Sequence, residues 1–205
     1  MKVDYVLGLD LGRIRDHSTL AIVERTRKPD NAGLVETWYT VRHLRCWPLK
    51  TSYTTVMAEL AEVVKRPPLS WPVLVVDQTG VGQAVVDCLV QAQLSATVVP
   101  IMITSSSGKS RTDGKQWFVP KRELVFCLQG LLRSNRLQIA PLPERSALAH
   151  ELMAFQVRVT KSGNETFAAR TERDHDDLVL AVALATWWGE RGFRRQIFKE
   201  VRHVI

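Results

Sequence analysis

Residues 173–188 read RDHDDLVLAVALATWW, three aspartates and a histidine leading straight into eleven residues with hardly a polar group among them. A helix that is apolar on every face has to be buried, so the rest of the chain must wrap this segment. The carboxylates at its mouth are then drawn partly out of water, where an ionised group is costly unless a cation or a hydrogen-bond donor compensates. Aspartate is a common N-cap and acidic side chains suit the positive end of the helix dipole. One aspartate would serve that purpose; Asp174, Asp176 and Asp177, with His175 between them, exceed it.

A chain of 205 residues that is 45% hydrophobic and 24% charged can build one soluble globular domain with a sizeable core. It has no run of about 18 apolar residues, and its first residues, MKVDYVLGLDLG, carry Asp4 and Asp10 where a signal peptide would want a cationic start and an unbroken apolar stretch. The expectation is a cytoplasmic protein, in the host cell if the source is viral, with no membrane partner. Cys46, Cys88 and Cys127 show no CxxC spacing, which excludes a zinc knuckle and reads as core filling. The excess of 28 Lys and Arg over 21 Asp and Glu gives a formal charge of +7, which suits a polyanionic partner such as nucleic acid.

Three short β-rich segments, 3–11, 18–25 and 35–43, predict an antiparallel meander. A helix over 53–65 closes at Pro67 and Pro68, and WPVLVVD then reads as a buried strand ending in Asp77. A helix over 83–93 and a strand over 96–103 follow. Residues 104–119 are rich in serine, glycine and charge and predict a long exposed loop or hairpin. Their GKS is not a phosphate loop, because Ile103 stands where the first glycine of GxxxxGK[ST] belongs. A helix after Pro120, a short strand LQIA, a helix over 142–154 and a hairpin around Ser162, Gly163 and Asn164 lead to the apolar helix. The order predicts an α/β fold: a mixed five-stranded sheet, three antiparallel strands and then parallel ones, with helices on both faces.

Asp10 lies in an otherwise apolar first strand and Asp77 ends an otherwise apolar central one. Aspartate is disfavoured in strands and expensive to bury without a partner. If the two strands are neighbours and the last helix packs across them, Asp10 and Asp77 meet one or more of Asp174, Asp176 and Asp177. Carboxylate oxygens without thiols or several histidines select hard cations, Mg²⁺ or Mn²⁺.

GLDLG with Asp16 shortly after it, VVDQTGVGQAVVDCLV, VPKRELVFCLQGLL and HDDLVLAVALATWW resemble, in order and rough spacing, the nuclease domain of phage terminase large subunits, of the RNase H-like, retroviral-integrase superfamily. The resemblance spans residues 4–190 and leaves 191–205 as a basic C-terminal tail. It implies an RNase H-like fold and a metal-dependent endonuclease that hydrolyses DNA with two ions about 4 Å apart, one activating water and one stabilising the leaving oxygen. It implies that Asp10, Asp77 and the HDD aspartates bind metal and catalyse. Asp177 is preferred over Asp176, although an all-apolar helix gives neither a face. Asp16, Asp174 and His175 are accessory candidates, and the i, i+3 spacing of Asp174 and Asp177 also resembles Holliday-junction resolvases.

The expected substrate is double-stranded DNA, gripped by Lys109, Arg111, Lys115, Lys121 and Arg122. The expected protein partners are a terminase ATPase, a small subunit or a portal protein. No Walker A sequence is present, so the chain is read as either an excised nuclease domain or a free-standing nuclease. Two rivals remain open: an actin or sugar-kinase type of ATP-binding domain, since GLDLG and VVDQTGVG also resemble its phosphate loops, and an inactive nucleic-acid-binding module, which leaves Asp10 and Asp77 unexplained.

Overall fold

The computed structural model describes residues 2–12, 16–29, 34–79, 81–154, 156–159, 165–168 and 176–202. Strands β1 (Lys2–Asp10), β2 (Thr19–Pro29) and β3 (Val35–Cys46) form the expected meander, and β4 (Val73–Asp77) and β5 (Thr97–Thr104) join it parallel to β1. The sheet does not stop at five strands. A hairpin of β6 (Arg111–Thr112) and β7 (Trp117–Pro120) extends the β5 edge, and β8 (Leu137–Ile139) pairs parallel with β3, giving the order β6-β7-β5-β4-β1-β2-β3-β8. The extra strands have two, four and three residues. β8 is the short strand expected at LQIA, whereas β6 and β7 are too short to carry the alternation that would distinguish a hairpin from a loop over 104–119.

Alternation along β1 and β4 assigns the two faces. Leu7, Leu9, Leu74 and Val76 point into one core layer, with Val56 and Leu60 of α1 (Tyr53–Val63) and Leu89 of α2 (Gln83–Gln91). Val6 and Val75 point into the other, with Leu124, Leu128 and Leu131 of α3 (Lys121–Arg133), Leu148 of α4 (Arg145–Ala154) and the start of α5 (Asp177–Arg202). From Leu178 to Ala185 every side chain of α5 is buried, as an all-apolar helix requires. Burying each Leu or Val contributes on the order of 1.5–3 kcal/mol, so α5 is the keystone of this layer. Strands β9 (Gln156–Val159) and β10 (Glu165–Ala168) pair as a separate hairpin between α4 and α5. The basic segment from 191 continues α5 as far as Arg202.

The cysteines depart from expectation. Cys46 and Cys88 are exposed, because the last residue of β3 and the outer side of α2 face solvent, and only Cys127 packs partly against the core. Among the described residues no helix is long and apolar enough to cross a membrane.

Candidate functional site

The parallel register of β1 and β4 sets Asp10 directly beside Asp77. Each sits two residues beyond a position on the α5 side, Gly8 and Val75, so both carboxylates point to the face that α5 covers. Here α5 begins. Thr19, paired with Asp10 across β1 and β2, donates its hydroxyl to the Asp177 carbonyl at 2.8 Å, and the His17 N–H donates to Asp177 Oδ2 at 3.3 Å. The helix mouth is thereby fastened to the end of the strand that carries Asp10.

Asp10 and Asp177 are buried, whereas Asp77 and Asp176 are partly exposed. Burial holds the Asp10 carboxyl well above the ordinary carboxylate range; Asp77, Asp177 and Asp176 push it the same way, and the Lys121 ammonium opposes them. Asp77 is also raised by burial, but the Thr79 hydroxyl and Thr79 N–H, which both donate to its Oδ1, hold it back, together with Lys121. Thr79 in turn accepts from the Ile103 N–H at 2.7 Å, which ties the β4 end to β5. Asp176 accepts from Lys121 Nζ at 2.8 Å. The structure thus brings Asp10, Asp77, Asp176 and Asp177 to one place, each of the last three held by a donor of the protein. In these side-chain positions no three carboxylates among the described residues close on a single point that would grip an ion.

Glu151 of α4 is a fifth carboxylate that the sequence did not single out. Its Oε2 accepts from the Leu178 and Val179 N–H groups at 3.0 and 3.1 Å, capping the first turn of α5 from outside the helix. Burial pushes its carboxyl up to about 7; the Val179 and Leu178 N–H groups oppose this, and Asp177 and Asp176 add to it. No local signal could have found it, since its partners lie 27 and 28 residues further along. Glu151→Ala is expected to cost about 1–2 kcal/mol, because it leaves two first-turn donors without an acceptor. Glu151→Gln keeps an acceptor oxygen and should melt near wild type. Thermal melts in EDTA decide; an Ala variant as stable as the Gln variant counts against the cap.

The remaining candidates separate. Asp16 is exposed on the β1–β2 connection. Asp174 and His175 lie outside the described residues. Lys109, Arg111 and Lys115 are exposed along the β6–β7 hairpin, where the Arg111 guanidinium lies 4.1 Å from the Phe118 ring centre. Arg122 donates to the Gly108 carbonyl at 3.3 Å and so anchors that hairpin. Trp117 packs beneath it, edge-on to Trp187 and Trp188 with Arg191 over its face. Lys121 was expected to act with the loop in gripping DNA; its ammonium pairs with Asp176, within the carboxylate cluster.

A mixed sheet of this strand order, with paired aspartates at its centre and the mouth of a buried helix set against them, defines an RNase H-like α/β domain. The solved structures it is similar to include large terminases of two bacteriophages. The large terminase nuclease from thermophilic phage G20c matches with a TM-score of 0.65 at 22% identity, over 90% of this chain and 81% of that one. The same nuclease with bound magnesium matches with a TM-score of 0.63 over the same shares. The bacteriophage HK97 large terminase gives a TM-score of 0.52 at 16% identity, and there the match covers 91% of this chain but 40% of the other. No protein-family model and no curated protein matches the sequence. The chain has the fold of a large terminase nuclease, and at these identities the likeness is one of fold.

Proposed function

We propose that the chain is a metal-dependent endodeoxyribonuclease that hydrolyses double-stranded DNA as the nuclease of a viral packaging terminase would. The observation that carries this reading is the placement of Asp10 and Asp77 side by side at the ends of β1 and β4, facing Asp176 and Asp177 at the mouth of α5. The donor set fits Mg²⁺ or Mn²⁺, being all carboxylate oxygen and held by three separate elements. Asp10, Asp77 and Asp177 are the proposed ligands, with Asp176 sharing the duty. Bound there, two ions would supply an activated water and charge stabilisation at the leaving oxygen. Asp177 is held in place by Thr19, His17 and the Glu151 cap, and Thr79 sets the orientation of Asp77. An ATPase, small subunit or portal protein is the proposed assembly partner. The likeness to nucleases favours this reading over the ATP-binding one.

The test is cleavage of plasmid and linear DNA by purified protein. Mg²⁺ or Mn²⁺ should support cutting with little sequence preference, EDTA should abolish it, and Ca²⁺ should bind without supporting it, because its longer bonds and looser geometry suit a phosphoryl-transfer site poorly. Cutting in EDTA, or ATP binding without any cutting in Mn²⁺, would overturn the proposal.

The hairpin cations belong to substrate grip. Phosphate contacts release counterions, so replacing Lys109, Arg111 and Lys115 together by alanine should weaken DNA binding and flatten its log–log salt slope by up to ~3 units. Saturating DNA should restore most of the turnover. A triple variant that binds normally and cuts slowly at every DNA concentration would place the hairpin in the chemistry.

A further inference from the structure

Lys121 opens α3 immediately after β7. Because β7 runs parallel to β5, and β5 to β4, the residue leaves the sheet at the edge where Asp77 and Asp10 also end. Its Nζ stands 2.8 Å from Asp176 Oδ2, with 26% and 22% of the two side chains exposed. The same ammonium acts on Asp10 and on Asp77. One cation therefore serves carboxylates from β1, β4 and the mouth of α5. An ion pair whose only task was to join α3 to α5 would not need a place inside the group of side chains proposed to receive metal.

The chemistry of that place is competitive. An ammonium is a compact single charge with three donors, and it takes the same carboxylate oxygens that a divalent cation needs. It also raises the local potential against a second cation. Lys121 sits on a flexible four-carbon stem, so its head can leave Asp176 without the helix moving.

Resting on the metal-dependent reading above, we propose that Lys121 is the resident counter-ion of the carboxylate cluster, and that it gives up Asp176 when a divalent cation binds and turns its ammonium to the substrate phosphate. It is then a competitor of metal in the free protein and a phosphate contact in the complex with DNA. Its presence keeps the side chains of the cluster together before either ligand arrives.

The sign of one measurement separates this from a purely structural ion pair. Mn²⁺ binding without DNA is read from the electron paramagnetic resonance of free Mn²⁺, for wild type, Lys121→Met and Lys121→Arg. Removing a competing charge should tighten Mn²⁺ binding in Lys121→Met by roughly tenfold, while Lys121→Arg keeps the charge and stays near wild type. In EDTA, Lys121→Met should melt several degrees lower, and Mn²⁺ should close that gap. At saturating Mn²⁺ its KM for DNA should rise. A structural pair that merely positions Asp176 predicts weaker Mn²⁺ binding instead. If Lys121→Met does not fold, Lys121→Gln, which can still donate to Asp176, takes its place in the same titration. Equal or weaker Mn²⁺ binding than wild type in a folded neutral variant overturns the inference, as does an unchanged melting temperature in EDTA. Wild-type protein that binds no Mn²⁺ at all overturns the metal reading itself, so the two failures are told apart.

Discussion

Asp10→Asn and Asp77→Asn are each expected to lower DNA cleavage by about a thousandfold or more, while the metal-free proteins melt at or above the wild-type temperature. The loss follows from removing a carboxylate that holds an ion: metal stabilisation of the transition state contributes several kcal/mol, and each ~1.4 kcal/mol is a factor of ten in rate. The stability half follows from burial. The Asp10 carboxyl is held well above its ordinary range by desolvation and by three neighbouring aspartates, so in the folded protein the ionised form is the disfavoured one. A folded-state value above the unfolded one means that the cost is present at neutral pH and fades as pH falls through the raised range. Metal-free wild type should therefore gain stability as pH is lowered from neutral, before general acid unfolding sets in. Asp10→Asn should flatten that gain, since the amide has nearly the same volume and no charge. The effect should be smaller for Asp77→Asn, because the two Thr79 donors already stabilise the Asp77 carboxylate and an amide oxygen can still accept from the Thr79 N–H. Melts in EDTA across about pH 5–8, beside cleavage assays in Mn²⁺, check both halves. Either variant cutting at the wild-type rate would sink the assignment of that residue.

These two aspartates were legible because each interrupts an apolar strand, a local anomaly that asks for a cause. The aspartates at the mouth of α5 were legible for the same reason. The choice between them was not, since a helix apolar all round offers no face to rank them. Packing sets the two apart in position: Asp177 is buried beside Thr19 and His17, and Asp176 lies further out against Lys121. Lys121 itself was grouped with the hairpin cations because it follows them in sequence. Its place depends on the parallel pairing of β7 with β5, which no local pattern records. Glu151 was invisible for a related reason, being one acidic residue on a helix whose partners belong to another helix. The three antiparallel strands, the buried helix and the short β8 were readable from pattern; over 104–119 the choice between loop and hairpin stayed open, because β6 and β7 have two and four residues and carry too little alternation to decide it.

Gly8→Ala is expected to be strongly destabilising and to impair the site two residues away. Gly8 lies on the α5 side of β1, and a methyl group there would overlap the Ala181 carbonyl oxygen, with the Ala181 carbonyl carbon at 2.9 Å and the Ala185 nitrogen at 3.0 Å. All three are helix backbone, which no rotamer change can move aside, so α5 must lift from the sheet. Overpacking a tight core costs about 1–3 kcal/mol, and a backbone clash belongs at the upper end. For a domain of this size that lowers the melting temperature by about 5–10 °C. The helix that lifts is the one that carries Asp176 and Asp177, so the distance from Asp10 to Asp177 should grow with it. Mn²⁺ affinity and cleavage should therefore fall even at temperatures where the variant is fully folded. Gly130→Ala is the control: it sits in α3 with nothing within 4 Å of an added methyl, and it should gain up to about 1 kcal/mol from helix propensity alone. If Gly8→Ala melts and cuts like wild type while Gly130→Ala behaves as expected, α5 is not seated on β1 in the way that brings its mouth to Asp10.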